Sequence, residues 1–222
     1  MENEKRKRLL DFYLDIKDCQ RCELSKTRNN FVFGSGTVDA PVLFIGEAPG
    51  KNEDLKGLPF VGRAGKVLDE LLSFIGFTRE DIFIANVLKC RPPNNRDPKI
   101  EEIDTCKPYL LKQIEIIDPR IICTLGKYST QFMLKTKAGI SSLRGRSYKI
   151  DGRVIIPINH PAVVLYSPSK MGLLKDDFKR IKEKLDKDEK DIEKEAGSLI
   201  DTDTIPGSSE MTNEQLGFFD GD

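Results

Sequence analysis

His160 is the only histidine among 222 residues, and it stands in PINHPA, at the end of an apolar run and directly before a proline. Imidazole is the side chain most ready to exchange or share a proton near neutral pH. A single one at a strand end therefore marks a candidate acid, base or hydrogen-bond donor. Pro161 restricts it to extended backbone geometry. A second group is formed by four of the five cysteines. Cys19 and Cys22 are separated by two residues, and Cys90 and Cys106 by 15, all beside polar or proline-rich loops. Three uses compete for four thiols: disulfides, tetrahedral zinc and an iron–sulfur cluster. An ordinary cytosol disfavours disulfides, and the spacing does not separate the other two. Cys123, inside RIICTLG, reads as a small core residue.

The elements that must position these groups alternate between strand and helix. Short, continuously apolar runs at 41–46, 81–89, 120–126 and 154–159 read as buried strands. Helical periodicity marks 4–17, 64–75, 97–118 and the segment KMGLLKDDFKRIKEKLDK, while KYSTQFML opens a further helix. Pro108 is expected to break or kink the 97–118 helix near its middle. Asp151-Gly152 predicts a hairpin turn. Alternating strands and helices predict a parallel sheet between two helix layers. Each of three strands feeds a loop rich in polar groups: GEAPGKNEDLKGLPFVGRAG, then Asn86 with KCRPPNNRDP, then NHPA. Ligands of open parallel sheets bind at the carboxyl ends of strands, so these loops are expected to share one crevice.

Charge divides the chain. Residues 183–222 carry 13 acidic and 4 basic side chains, while residues 1–182 carry 23 acidic and 32 basic ones. A basic body favours a polyanionic partner, nucleic acid first; a lysine-rich, heat-adapted surface is the plainer explanation. From about 184 the sequence loses sustained apolar periodicity and is expected to be disordered. It ends on Gln215-Leu216-Gly217-Phe218-Phe219, an aromatic pair reminiscent of sliding-clamp binding motifs, though with Gln closer to the aromatics than usual. The expected organisation is a domain over 1–183 and an acidic tail over 184–222. No apolar run is long enough to cross a bilayer, and MENEKRKRLL does not read as a secretory signal. A cytoplasmic, nucleoid-associated monomer is expected.

Taken in order, GEAPGKNED, GLPFVGRAG, ANVLKCRPPNNRDP, INHPA and the four cysteines resemble the family 4 uracil-DNA glycosylases, the thermostable iron–sulfur type of archaea and many bacteria. The resemblance spans about residues 9–182. It implies a three-layer α/β/α sandwich around a four-stranded parallel sheet. It also implies a 4Fe–4S cluster on Cys19, Cys22, Cys90 and Cys106, and release of uracil from double- and single-stranded DNA.

The implied roles make chemical sense residue by residue. A glycosylase must flip its nucleotide and read the Watson–Crick edge. Uracil offers O4 as acceptor and N3–H as donor, and the carboxamide of Asn86 matches that fork. Phe60 is expected to stack on the base. A hydrogen bond from His160 toward uracil O2 would stabilise the anion that appears as the N1–C1′ bond breaks. The better-known family 1 motif, Gly-Gln-Asp-Pro-Tyr, is Gly46-Glu47-Ala48-Pro49-Gly50 here, so its aspartate is replaced by Ala48 and its tyrosine by Gly50. Glu47, Glu53 or Asp54 is then left to steer water or balance the sugar cation, with Glu53 a candidate for excluding thymine. Backbone amides of Gly46–Ala48 are expected at the uracil oxygens. Leu165 or Tyr166 is expected to wedge into the duplex, with Arg91, Arg96, Arg144, Arg146 and Lys170 as phosphate contacts. Two alternatives are a catalytically silent iron–sulfur DNA-binding module and a broader-specificity, family 5-like glycosylase.

Overall fold

The computed structural model describes residues 2–187. The acidic tail and its Gln215–Phe219 end lie outside the described residues. In chain order the elements are α1 (Glu2–Ile16), β1 (Ser35–Gly36), β2 (Val42–Gly46), α2 (Lys51–Lys56), α3 (Arg63–Phe74), β3 (Phe83–Asn86), α4 (Ile100–Ile117), β4 (Ile121–Leu125) and α5 (Lys127–Leu134). They continue with α6 (Ile140–Leu143), β5 (Tyr148–Ile150), β6 (Arg153–Ile158), α7 (Val163–Tyr166) and α8 (Met171–Leu185).

The sheet runs β1-β3-β2-β4-β6-β5. Its four inner strands are mutually parallel, as the apolar runs predict. Two short antiparallel strands extend it to six. β5 arises from the Asp151-Gly152 hairpin, and β1 pairs with β3 inside a stretch that reads as loop. β1 has only two residues, too few for an alternating pattern.

Strand residues alternate between two cores because successive side chains point to opposite faces. Leu43 and Ile45 join Leu9, Leu110, Ile114 and Ile117 from α1 and α4. Val42 and Phe44 join Leu68, Leu71, Leu174 and Phe178 from α3 and α8. Phe44 stacks on Phe178 with ring centroids 5.6 Å apart. Cys123 is fully buried in the second core, as its setting in RIICTLG suggests. The result is the three-layer sandwich expected from the strand–helix alternation.

Pro108 does not interrupt α4, which is continuous across it. Proline frees the carbonyl four residues earlier, but Pro108 and Asp104 lie on the exposed face of the helix, where solvent can reach that group. The first turn of the helix is held by Glu102, which accepts the Lys99 amide at 2.9 Å and pairs with Arg96 through both carboxylate oxygens. No helix among the described residues is long and apolar enough to cross a membrane.

Candidate active site

Parallel pairing brings the ends of β2 and β3 level, with Gly46 opposite Asn86. A Cβ on Gly46 would lie 2.3 Å from Asn86 Oδ1 and 2.8 Å from the Phe60 ring. Glycine therefore keeps a gap open between the amide and the aromatic face. Asn86 is 2% exposed. Lys89 donates to its main-chain carbonyl at 2.9 Å, but its carboxamide has no hydrogen-bond partner among the described residues. Its amide atoms are not closed off in the interior, so they stay open to a ligand in the gap. Phe60 adopts φ +53°, a strain of about 1–3 kcal/mol for a residue with a side chain. That is as large as the stacking it would offer a base, roughly 1–3 kcal/mol.

His160 lies two residues beyond β6 and stacks on Phe60, with centroids 5.5 Å apart and planes inclined by 28°. The end of β4 passes close beneath it. Gly126, at φ +95°, would place a Cβ 3.1 Å from the histidine's own Cβ. The Ala162 amide donates to His160 Nδ1 at 3.1 Å. In the neutral ring the proton is thus on Nε2. Burial lowers the His160 pKa to about 4, opposed by the charge of Glu53. At neutral pH the imidazole is an uncharged N–H donor.

The acidic residues near this crevice separate by their partners. Glu47, directly after β2, has no hydrogen-bond partner for its carboxylate among the described residues. Burial raises its pKa to about 7, assisted by Asp97 and opposed by Lys127. Asp97 in turn accepts a hydrogen bond from the Tyr128 hydroxyl. Glu53 Oε1 accepts the amides of Val61 and Gly62 at 2.9 and 2.8 Å, fastening the Phe60 loop to α2. Asp54 is buried and accepts hydrogen bonds from Asn29 and Asn30. It therefore serves the fold and is withdrawn as a water-steering group.

The four cysteines form a second region, with Cys90 and Cys106 on the 86–106 connection and Cys19 and Cys22 on the N-terminal segment. Cys90 and Cys106 are buried, and Cys19 and Cys22 pack against the same core. Burial raises the Cys90 pKa, Arg28 opposes this, and Cys22 and Cys19 add to it. Burial pushes Cys106 to about 12, opposed by Lys89 and assisted by Cys90 and Cys22. The thiols are thus close enough to influence one another. Arg28 Nη1 donates to Cys90 Sγ at 3.2 Å, the Lys89 amide to Cys106 Sγ at 3.3 Å and Tyr109 Oη to Cys19 Sγ at 3.1 Å. Among the described residues no group of three or more His, Cys, Asp or Glu is arranged around a single metal ion. The N–H and O–H donors that Cys90, Cys106 and Cys19 receive are the kind a thiolate-held cluster requires.

The family model of the Uracil DNA glycosylase superfamily matches residues 33–186. A type-4 uracil-DNA glycosylase of Archaeoglobus fulgidus is 47% identical over 181 residues, covering 78% of this chain and 91% of the relative. Another from Saccharolobus solfataricus is 48% identical over 186 residues, covering 79% and 86%. This chain belongs to the type-4 uracil-DNA glycosylase family. Similarity to a type-5 enzyme of Pyrobaculum aerophilum is lower, 28% over 143 residues, covering 58% of this chain and 63% of the relative.

On this glycosylase the residues expected at DNA fall into two sets. Arg96 and Arg144 are spent internally, Arg96 on Glu102 and Arg144 on Asp177 and the Leu173 carbonyl, each at 2.8 Å in the latter case. Arg146 and Lys170 are exposed, and half-buried Arg91 donates to Asn95 Oδ1 at 2.8 Å. Leu165 packs partly against the second core, whereas Tyr166 is 88% exposed. Ala48 is half-buried beside Glu47. Sequence reasoning missed Gly126 and Lys89. The glycine in RIICTLG reads as an ordinary turn, and nothing in LKC marks its lysine as fully buried.

Proposed function

We propose that this protein hydrolyses the N1–C1′ bond of deoxyuridine in DNA, releasing uracil and leaving an abasic site as the opening step of base excision repair. One observation carries the reading. An unpaired carboxamide, a glycine-sized gap, an aromatic face and a neutral imidazole N–H converge at adjacent strand ends. A flipped uracil placed in the gap stacks on Phe60. Its O4 accepts from the Asn86 NH₂ and its N3–H donates to the Asn86 oxygen. Cytosine reverses both groups, and leaving buried partners unpaired can discriminate by powers of ten. His160 Nε2–H donates toward O2, where negative charge grows as the bond breaks. No proton need be transferred, which suits an imidazole that stays neutral. Glu47, ionised above about pH 7, is assigned to the sugar cation and the attacking water. Glu53 is assigned to holding the wall of the slot.

Cys19, Cys22, Cys90 and Cys106 are assigned to a 4Fe–4S cluster, which when bound cross-links the N-terminal segment to the 86–106 connection. Tyr166 is assigned to the duplex as a wedge, with Lys170, Arg91 and Arg146 at phosphates. The Gln215–Phe219 segment is proposed to dock a sliding clamp.

A duplex carrying one uracil tests the activity. After protein and then alkali it should break at that position. His160→Ala should lower the single-turnover rate by about 10²–10³, the cost of one transition-state donor, with duplex affinity changed less than about twofold. An unbroken strand would leave a silent DNA-binding module. Equal loss of rate and affinity would remove His160 from leaving-group stabilisation.

A further inference from the structure

The loop that presents Phe60 is gripped from three sides. Arg79 lies a few residues beyond α3 and donates Nη1 to the Pro59 carbonyl at 3.1 Å and Nη2 to the Phe60 carbonyl. Its Nε is paired with Asp69 at 2.6 Å. Across the loop, Glu53 takes the two following amides. Behind it, Gly65 approaches so closely that a Cβ there would lie 1.7 Å from the Phe60 carbonyl oxygen. Between these contacts Phe60 keeps its φ of +53°, in a region that residues with side chains rarely occupy. Released from them, the residue would relax to negative φ. Its Cα–Cβ bond would swing, and the ring would leave the gap above Gly46.

We propose that Arg79 is a positioning residue for base recognition, holding Phe60 in left-handed geometry through the two carbonyls and so aiming its ring at the base. The inference rests on the uracil-binding reading and deepens it. Among the described residues the hydrogen bonds of Arg79 end on Asp69, Pro59 and Phe60, so its influence on the base passes through the Phe60 loop. A guanidinium suits the task because its rigid fork reaches two carbonyls and a carboxylate together, which an ammonium does less well.

The test compares Arg79→Ala, Arg79→Lys, Phe60→Ala and the double variant Arg79→Ala/Phe60→Ala. Three quantities are read: the inhibition constant of free uracil, kcat/KM on a uracil duplex, and affinity for abasic-site DNA. Arg79→Ala should raise the uracil inhibition constant and lower kcat/KM, each by about tenfold, the scale of one lost base–aromatic stack. Abasic-site affinity should stay within about twofold, because no base occupies the slot. Arg79→Lys should recover part of the loss. In the Phe60→Ala background, Arg79→Ala should add nothing, the signature of two residues acting as one. An unchanged uracil inhibition constant, or additive losses in the double variant, would overturn the proposal. Should Arg79→Ala fail to fold, Asp69→Asn at the half-exposed partner of Arg79 Nε loosens the same guanidinium and must raise the inhibition constant likewise; an unmoved value there overturns it too. A wild-type protein that releases no uracil removes both readings, whereas an active wild type with an unmoved inhibition constant removes this one alone.

Discussion

Two polar regions hang on the same stretch of chain, residues 86–106, and they are finished in opposite ways. At its start, the Asn86 carboxamide and the facing His160 Nε2 are left without partners among the described residues, while Lys89 holds the Asn86 carbonyl and the Ala162 amide fixes His160 Nδ1. Further along, the sulfurs of Cys90 and Cys106, with that of Cys19 from the N-terminal segment, already receive hydrogen bonds from the protein. The contrast follows from how long each ligand stays. A base that enters and leaves must find open donors and acceptors, and their desolvation is offset anew at every binding event. Thiolates of the proposed cluster, kept for the life of the fold, would need permanent donors to balance their charge. Lys89 stands between the two regions. Its ammonium holds the Asn86 carbonyl and Gln113 Oε1, at 2.9 and 2.6 Å, while its amide serves Cys106.

The sharpest way to break this contrast is to change the open end. In Asn86→Asp the ionised carboxylate offers only acceptors, and the protonated acid fits cytosine at N3 and N4. The ratio of uracil to cytosine turnover should fall by about 10³ or more, given what unpaired buried groups cost. Melting temperature should also fall at neutral pH, because the introduced carboxylate would sit 2% exposed without a partner, and the loss should shrink as the acid is protonated at lower pH. Competition between U- and C-containing duplexes measures the ratio. A preserved ratio would mean that Asn86 does not read the base.

The closed end should fail differently. Cys90→Ala would remove one attachment of the proposed cluster, which would bridge 67 intervening residues between Cys22 and Cys90. On the loop-closure scale this is worth roughly 3–5 kcal/mol, or about 10 °C of melting temperature for a domain of this size. Specificity for uracil should survive in whatever fraction stays folded. Calorimetry beside a competition assay separates the two effects. If specificity collapsed while stability held, the cysteine region would be part of base reading and the division between the regions would be wrong.

The sequence made the contrast partly legible. Four parallel strands were readable because each is a short, continuously apolar run closed by turn residues. His160 and Asn86 were readable because polar groups at strand ends have few structural uses. The grip on Phe60 was not, because it depends on Arg79 and Gly65 arriving from α3 and its exit, and no local pattern announces that meeting. Asp54 misled for the same reason. An acidic residue in a polar loop looks solvated, and only the fold reveals Asn29 and Asn30 above it. Arg96 and Arg144 looked like phosphate ligands until Glu102 and Asp177, distant or unremarkable in sequence, were found opposite them.

Glu47 provides the finest test, since it shares the open character of Asn86 yet titrates. Its pKa is raised from 4.5 to about 7, first by burial and then by Asp97, against the pull of Lys127. Between those values the native state holds a proton that the unfolded chain has lost, so the raised pKa makes stability fall as pH rises through this window. Glu47→Gln removes that dependence. The variant should match the wild type near pH 4.5 and exceed it above pH 7 by about 1 kcal/mol, after discounting for partial exposure, or roughly 2–4 °C. Activity should move the other way. A carboxylate that balances the sugar cation works only when ionised, so the wild-type rate should climb between about pH 6 and 8 while the Gln variant is slow and flat. Matching melting curves at pH 8 would show the carboxylate to be solvated after all. A flat wild-type profile would transfer the cation role to Glu53, whose position beside His160 is the next most suitable.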